Sequence, residues 1–152
     1  MRVALDTNIL AYAEGVRRVP QDELRMAAAI ALIARLDNDE VVVPVQVFGE
    51  LANVLRRDRR DAAAIAHSVA TWASVFATPP TDIEIFSLAL DLSARHRMQI
   101  WDAVILTAAA EAGCTLLLSE DMQDGFTWRS VTVANPFAAT PHSLLRPYIP
   151  PT

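Results

Sequence analysis

Lysine is absent from this sequence, and cysteine occurs once, as Cys114. A single thiol cannot form an internal disulfide, which excludes a small secreted fold held together by disulfide bonds. The apolar stretch after Met1 ends at Asp6 and is too short for a signal peptide, so we expect a cytoplasmic protein. Even the richest apolar segment, 100–118, contains two acidic residues, and we expect no membrane span and no membrane partner.

Glycine is also scarce, with 4 residues among 152, whereas 53% of the chain is hydrophobic and 20% is charged. This composition predicts one globular domain in which alanine-rich helices predominate. The formal net charge of −5 argues against general, charge-driven binding of nucleic acid. All 13 basic residues are arginine, whose planar guanidinium group can bind phosphate through two parallel hydrogen bonds.

Short apolar strands alternate with segments of helical periodicity along the chain. Apolar runs predict strands at 3–5, 41–43, 115–118 and 131–133, and periodicity predicts helices at 7–13, 21–36, 44–57, 62–72, 81–98 and 100–112. Thr81 and Glu84 form a capping-box pattern at the start of one helix, and Gly113 ends another. This order predicts an α/β fold with a short central parallel sheet of about four or five strands, flanked by helices.

Proline is concentrated near the C-terminus, with five prolines between Pro136 and Thr152. Such segments favour extended backbone. We therefore place the folded domain at 1–137 and predict that 138–152 is a proline-rich tail that runs extended over the surface or over a partner.

Four acidic residues occupy positions that this fold would bring together. Asp6 follows the first predicted strand, and Asp121 comes soon after the strand 115–118. Glu50 and Asp102 share helix faces with apolar residues and so point toward the sheet. Because ligands of open α/β sheets bind beyond the carboxyl ends of the strands, we expect the four carboxylates to converge there.

Each acid also has a purely structural explanation, and its position alone does not decide between a structural role and a role in ligand binding. Asp6 can cap the first helix, and Asp121 can be an ordinary turn residue. Glu50 can reach outward from the edge of its apolar stripe. Asp102, in the first turn of its helix, can stabilise the helix dipole by roughly 0.3–1 kcal/mol.

A cluster of four carboxylates repels itself unless a cation joins it. At ~4 Å and an effective dielectric constant of about 20, each like-charged pair costs about 4 kcal/mol, so several such pairs exceed the stability of a small domain. Oxygen ligands without nearby histidine or cysteine favour Mg²⁺ or Mn²⁺ over Zn²⁺. Phosphodiester hydrolysis is the natural reaction class of such a site.

The four acids lie in segments that carry a resemblance to a known family. The segments are Leu5-Asp6-Thr7-Asn8-Ile9-Leu10, Val47-Phe48-Gly49-Glu50-Leu51, Ile100-Trp101-Asp102-Ala103-Val104-Ile105 and Leu118-Ser119-Glu120-Asp121. In order, spacing and setting they resemble the successive acidic motifs of PIN domains, over about Met1 to Phe137. The chain is also similar in size to VapC-type toxins of prokaryotic toxin–antitoxin pairs.

The resemblance implies a metal-dependent endoribonuclease that hydrolyses RNA phosphodiester bonds and leaves a 5′-phosphate. It implies that one or two Mg²⁺ or Mn²⁺ ions are held by Asp6, Glu50, Asp102 and Asp121. Asp124, an additional acid where family members vary, is expected to assist a second ion.

The same resemblance suggests supporting residues and partners. The hydroxyl groups of Thr7 and Ser119 are expected to orient a carboxylate or a phosphate oxygen, and Asn8 is expected to support the turn after the first strand. The implied partners are an RNA substrate, a small antitoxin protein and a second copy of the chain in a homodimer.

A few other side chains are candidates for contacting RNA. The only basic run, Arg56, Arg57, Arg59 and Arg60, follows the Glu50 helix and can hold an RNA backbone, although a solvated helix end explains it as well. Trp101 can stack on a base, but a tryptophan at the start of a packed helix is more often part of the core or of an interface. The three histidines lack ligand spacing and receive no role.

Other functions fit less well or differ in setting. A phosphatase with two aspartates needs an Asp-x-Asp pair after the first strand, and a receiver domain needs a lysine; neither is present. Within the resembled family, the alternatives to a toxin are a housekeeping nuclease of RNA processing and a catalytically inactive binding module.

Overall fold

The computed structural model describes residues 1–149, in which five strands form one sheet in the order β2-β1-β3-β5-β4. The strands are β1 (Val3–Leu5), β2 (Val41–Val42), β3 (Leu116–Leu118), β4 (Thr127–Trp128) and β5 (Val131–Ala134). The helices are α1 (Thr7–Ala13), α2 (Asp22–Ile33), α3 (Val45–Arg57), α4 (Ala62–Val75), α5 (Ile83–His96) and α6 (Ile100–Glu111). All strand pairs except β4 with β5 are parallel, which confirms the predicted α/β fold.

The register of the sheet aligns the carboxyl ends of its central strands. Leu5 lies opposite Leu118, which in turn lies opposite Ala134. The ladder continues one residue further, because the backbone N–H of Asp6 donates to the carbonyl of Leu118 at 3.0 Å. Every residue of β1 and β3 is buried, which explains why these strands are uninterrupted apolar runs. The residues that follow β1 and β3 therefore lie side by side at one edge of the sheet.

Two helices bring further side chains to this edge. Helix α6 is buried from Ala103 to Ala109, and its first turn is left partly open to solvent. Helix α3 buries Val47 and Leu51, which places Glu50 at the boundary between core and solvent. None of the helices described within residues 1–149 is both long and apolar enough to cross a membrane.

Strand β4 was not anticipated from the sequence. It pairs antiparallel with β5 through a tight turn in which Arg129 has a positive φ of 51°. Its two residues are exposed or half-buried, so they show neither an apolar run nor a clear alternation. The sheet thus has an antiparallel edge that short-range patterns do not predict.

The predicted capping box at the start of α5 is wrong. The helix begins at Ile83, and the side chain of Asp82 accepts a hydrogen bond from the backbone N–H of Ile85 at 2.9 Å. The hydroxyl group of Thr81 is buried and has no hydrogen-bond partner among the described residues. Aspartate ranks above threonine as a helix cap, so the neighbouring residue takes that role.

The C-terminal segment is less extended than its prolines predicted. Residues Ser143–Leu145 form a turn of 3₁₀ helix, and Leu145 is fully buried in the core. Tyr148 and Ile149 also pack against the core, so the described part of the segment covers the domain itself. Pro150, Pro151 and Thr152 lie outside the described residues. The domain boundary at 137 stays a prediction.

Candidate metal centre

Asp6 follows β1 directly and is buried at the edge of the sheet, with 4% of its surface exposed. Its Oδ1 accepts a hydrogen bond from the backbone N–H of Thr7 at 2.7 Å, so the residue does cap α1. Its Oδ2 accepts from the hydroxyl of Ser119 at 2.6 Å and from the amide of Asn8 at 3.3 Å. The structural and the functional explanations of Asp6 are therefore compatible.

Ser119, which follows β3, links Asp6 to the loop that carries Asp121. Its hydroxyl oxygen donates to Asp6 and accepts from the backbone N–H groups of Asp121 at 3.2 Å and Met122 at 3.1 Å. The residue is fully buried. One hydroxyl group thus fixes both a carboxylate and the start of the loop.

Replacing Ser119 with alanine is expected to lower the free energy of unfolding by about 1–3 kcal/mol, because buried polar groups lose their partner. Urea denaturation measures this loss. Ser87→Ala is the matched control, since that hydroxyl donates only to a helix carbonyl at an exposed position, and its effect should stay within about 0.5 kcal/mol. Equal effects of the two variants would show that the Ser119 hydroxyl holds nothing together.

Glu50 and Asp121 are each held by a residue of the first turn of α1. The hydroxyl of Thr7 donates to Oε2 of Glu50 at 2.7 Å. The amide of Asn8 donates to Oδ2 of Asp121 at 3.2 Å. Asn8 therefore bridges Asp6 and Asp121, which is a larger role than the local turn support expected from the sequence.

Asp102 occupies the first turn of α6, where its backbone N–H is capped by the side chain of Gln99. Its carboxylate is half-buried and accepts no hydrogen bond from any described residue. Asp102 and Asp121 line the same cleft, and Asp121 also lines the neighbouring cleft that contains Glu50.

The electrostatics show that the four acids affect one another. The pKa of Asp6 is raised to about 6, mainly by burial and to a smaller extent by the charges of Asp102 and Glu50, while its bonds to Ser119 and Thr7 act in the opposite direction. Burial also raises the pKa of Asp102 to about 6, and the charges of Glu50 and Asp121 add to the effect. At neutral pH the site therefore concentrates negative charge at an energetic cost.

The carboxylates are neighbours, but they do not form a ready-made cage. Among residues 1–149, no three acidic, histidine or cysteine side chains lie close enough together to hold an ion as they stand. Three of the four carboxylates are instead bonded to Thr7, Asn8 and Ser119. The donor types do fit a hard divalent cation such as Mg²⁺ or Mn²⁺, because every candidate ligand is an oxygen. A cation would also offset the repulsion by neighbouring charges that, after burial, contributes to the raised pKa values of Asp6 and Asp102.

Asp124 is not brought to this group. Its Oδ1 accepts a hydrogen bond from the backbone N–H of Asn135 at 2.8 Å, which ties the loop to the residue after β5. The side chain is exposed. The expectation that Asp124 assists a second ion therefore has no support in the geometry.

Asp124→Asn is expected to leave Mn²⁺ affinity within about twofold of the parent, because the amide oxygen can still accept from Asn135 and no ligand is lost. Calorimetric titration of Mn²⁺ measures this directly. A tenfold weaker affinity for Mn²⁺ would show that Asp124 contributes to metal binding.

The four arginines of the basic run have different surroundings in the structure. Arg57 lines the cleft that contains Glu50 and Asp121. Arg60 instead pairs with Glu14 at 2.6 Å, so its guanidinium group is occupied in holding the α3–α4 turn. Arg56 donates to the side chain of Asn53 at 3.3 Å, and Arg59 is exposed at a position with φ of 62°. The geometry keeps only Arg57 beside the acids.

Trp101 is not part of the core. It is 43% exposed and lines a groove together with Glu50 and Gln46. Its ring lies 6.4 Å from that of Phe86. The residue is therefore a surface feature beside the acids. Cys114, by contrast, is fully buried, and burial raises its thiol pKa to about 12.

Two further arginines border the acids and were missed from the sequence. Arg18, in the loop before α2, lines the cleft of Arg57. Arg97, which follows α5, lines the cleft of Asp102. Both are exposed residues in connecting segments, where no periodicity marks the direction of a side chain. Only the tertiary structure reveals where they lie.

Comparison with known proteins agrees with this arrangement. Residues 3–124 match the family model described as the PIN domain. Ribonuclease VapC7 of Mycobacterium tuberculosis is 31% identical over 125 residues, which cover 78% of this chain and 81% of that protein.

Solved structures show the same fold. Mycobacterium tuberculosis VapC20, a sarcin–ricin loop cleaving toxin, has a TM-score of 0.64 at 20% identity and covers 78% of this chain and 91% of its own. A toxin–antitoxin complex from Klebsiella pneumoniae has a TM-score of 0.64 at 16% identity, and the match covers 89% of this chain and 98% of the matched chain. VapBC-1 from nontypeable Haemophilus influenzae has a TM-score of 0.57 at 15% identity, and the match covers 80% of this chain and 87% of the matched chain. The chain therefore belongs to the PIN-domain family, and its match to Ribonuclease VapC7 places it among the VapC-type members.

Proposed function

We propose that this protein is a Mg²⁺- or Mn²⁺-dependent endoribonuclease that acts as the toxin of a type II toxin–antitoxin pair. The observation that carries the proposal is the hydrogen-bond chain that brings acids from separate elements to one edge of the sheet. Thr7 holds Glu50, Ser119 holds Asp6, and Asn8 joins Asp6 to Asp121. The family match to a ribonuclease supports RNA as the substrate.

The residues that hold the cation are Asp6, Glu50, Asp102 and Asp121. When bound, one or two divalent ions lower the pKa of a water molecule and neutralise charge that develops on the leaving oxygen. Asp6 is the most rigid of the four, because it is buried and accepts three hydrogen bonds. Glu50 and Asp121 are oriented by single hydrogen bonds and can turn toward the ion at smaller cost. The products would be an RNA 3′-hydroxyl and a 5′-phosphate.

The partners follow from the same family relationship. Solved relatives with this fold include a toxin–antitoxin complex from Klebsiella pneumoniae, and we extend this to a small antitoxin protein as the partner of this chain. A homodimer and a cytoplasmic location belong to the same proposal.

A cleavage assay tests the proposed activity. Purified protein is incubated with single-stranded and structured RNA in Mn²⁺, and in Mn²⁺ with excess EDTA. Cleavage only in free Mn²⁺, with products that carry a 5′-phosphate, is the expected result. Cleavage that survives EDTA would rule out the metal-dependent reaction.

The toxin role needs a separate test, because a housekeeping nuclease would cut RNA as well. Induced expression in a bacterial host is expected to arrest growth, and co-expression of a small protein encoded beside the gene is expected to relieve the arrest. Active cleavage without growth arrest would favour a housekeeping nuclease. Neither cleavage nor arrest would favour an inactive binding module.

A further inference from the structure

Two clefts meet at the carboxylates, and each is lined in part by arginine. The first, here the Arg57 cleft, is lined by Arg18, Glu50, Arg57, Gln99 and Asp121. The second, here the Arg97 cleft, is lined by Arg97, Gln99, Asp102, Asp121 and Phe126. Gln99 and Asp121 line both clefts, so the two are continuous across the acids.

The three arginines of these clefts are free to bind a ligand. Within residues 1–149, the guanidinium groups of Arg18, Arg57 and Arg97 make no hydrogen bond or ion pair, and Arg18 affects Asp22 only at longer range. Other arginines are engaged, for example Arg25 with Glu120 and Arg60 with Glu14. Free cations thus lie on both sides of a negatively charged centre.

Arg97 has a backbone conformation that favours glycine. It follows the last residue of α5 and has a φ of 52°, in the left-handed region. Glycine is favoured there because it has no Cβ to clash with the carbonyl oxygen. Packing does not explain the arginine, since its side chain is exposed.

We propose that a single RNA strand crosses the carboxylates along the two joined clefts, with phosphates bound by Arg57 and Arg18 on one side and by Arg97 on the other. The inference rests on the proposed nuclease function and adds the course of its substrate. A polyanion approaching an acidic centre needs cations close by, because the net charge of −5 provides no general attraction. A strand bound on both sides would be held with the phosphate between them over Asp121 and Gln99. The arginines act as positioning residues.

The test uses Arg57→Ala and Arg97→Gly in the full chain, with Arg35→Ala as the charge-matched control. Arg35 is an exposed arginine after α2 that lines neither cleft. Steady-state cleavage of a fluorescein-labelled, 20-nucleotide single-stranded RNA of mixed sequence gives KM and kcat in Mn²⁺. We expect each cleft variant to raise KM roughly threefold to tenfold with kcat within about twofold, and Arg35→Ala to change neither.

Binding measured separately keeps the inference distinct from catalysis. In the Asp102→Asn background, fluorescence anisotropy with the same RNA gives the dependence of affinity on salt. Each cleft variant is expected to reduce the slope of log K against log salt by about 0.7, the value for one phosphate contact on a single strand. The melting temperature of Arg97→Gly should not fall, which separates lost binding from lost folding.

The outcomes are distinguishable. Cleft variants that bind and cleave RNA as Arg35→Ala does would overturn the proposed path, and so would an effect confined to one cleft. A parent protein that binds RNA with the expected salt slopes but does not cleave it would overturn the nuclease function and leave the path standing.

Discussion

Asp102→Asn is expected to stabilise the ion-free protein while reducing RNA cleavage by at least about 100-fold. The half-buried carboxylate of Asp102 has its pKa raised to about 6 by burial and by its acidic neighbours, so its charge opposes folding at neutral pH. Removing that charge should add about 1 kcal/mol after allowance for solvent screening. For a chain of 152 residues this is a rise of about 2–4 °C in melting temperature.

Opposite signs for stability and activity are the informative part of this result. Substitution of a residue that only supports the fold would lower stability and activity together. Asp91→Asn is the matched control, because it removes an exposed aspartate that pairs with Arg95 on α5, away from the site. Its stability and its cleavage rate should both stay near those of the parent. If Asp102→Asn lowered stability or kept full activity, Asp102 would not belong to a self-repelling metal site.

The ion-free protein is expected to become more stable as the pH falls from 7.5 to 5. Burial raises the pKa of Asp6 to about 6 in the folded state, against its ordinary value of 3.8 in the unfolded chain. The folded state therefore binds more protons in this range, and its stability is lost as the pH rises through 6. The shift is worth about 3 kcal/mol in full and roughly 1–2 kcal/mol between pH 5 and pH 7.5.

Mn²⁺ should reverse this dependence, because the ion competes with the proton for the same carboxylate oxygens. At a concentration 100 times its dissociation constant, the ion adds about 2.7 kcal/mol at pH 7.5, and this gain should fade toward pH 5. Urea denaturation with and without Mn²⁺ at each pH measures both effects. The pKa of Asp22 is lowered by its bonds to backbone N–H groups, so its own contribution is lost only at lower pH.

Asp6→Asn is the control for the pH effect, since the amide keeps one oxygen to cap α1 but cannot titrate. Its stability in the absence of ions should vary less between pH 5 and pH 7.5 than that of the parent. The same variant should gain nothing from Mn²⁺. An ion-free parent that loses stability as the pH falls over this range would contradict the charge state assigned to Asp6.

The convergence of acids was predictable because it depends on topology. In a parallel sheet the carboxyl ends of neighbouring strands lie together, so Asp6 after β1 and Ser119 after β3 had to meet. The helix faces of Glu50 and Asp102 followed from apolar periodicity in the same way. These relations are set by short-range patterns combined with one rule of chain geometry.

The details that escaped prediction depend on contacts between distant, mostly exposed positions. Asn8 bonds to Asp121 across 113 residues, and nothing near Asn8 in sequence indicates that partner. Arg97 lines the cleft of Asp102 only because α5 packs against α6. Leu145 lies in a proline-rich segment, and its full burial depends on that segment folding back onto the core.

The central claim is that one divalent cation can bind among Asp6, Glu50, Asp102 and Asp121, and crystals grown with MnCl₂ test it most directly. The anomalous difference map is predicted to show a manganese peak within roughly 2–2.5 Å of carboxylate oxygens from at least three of the four residues. A map with no peak at this edge of the sheet, with the carboxylates of Asp6, Glu50 and Asp121 still bonded to Thr7, Asn8 and Ser119, would contradict this claim.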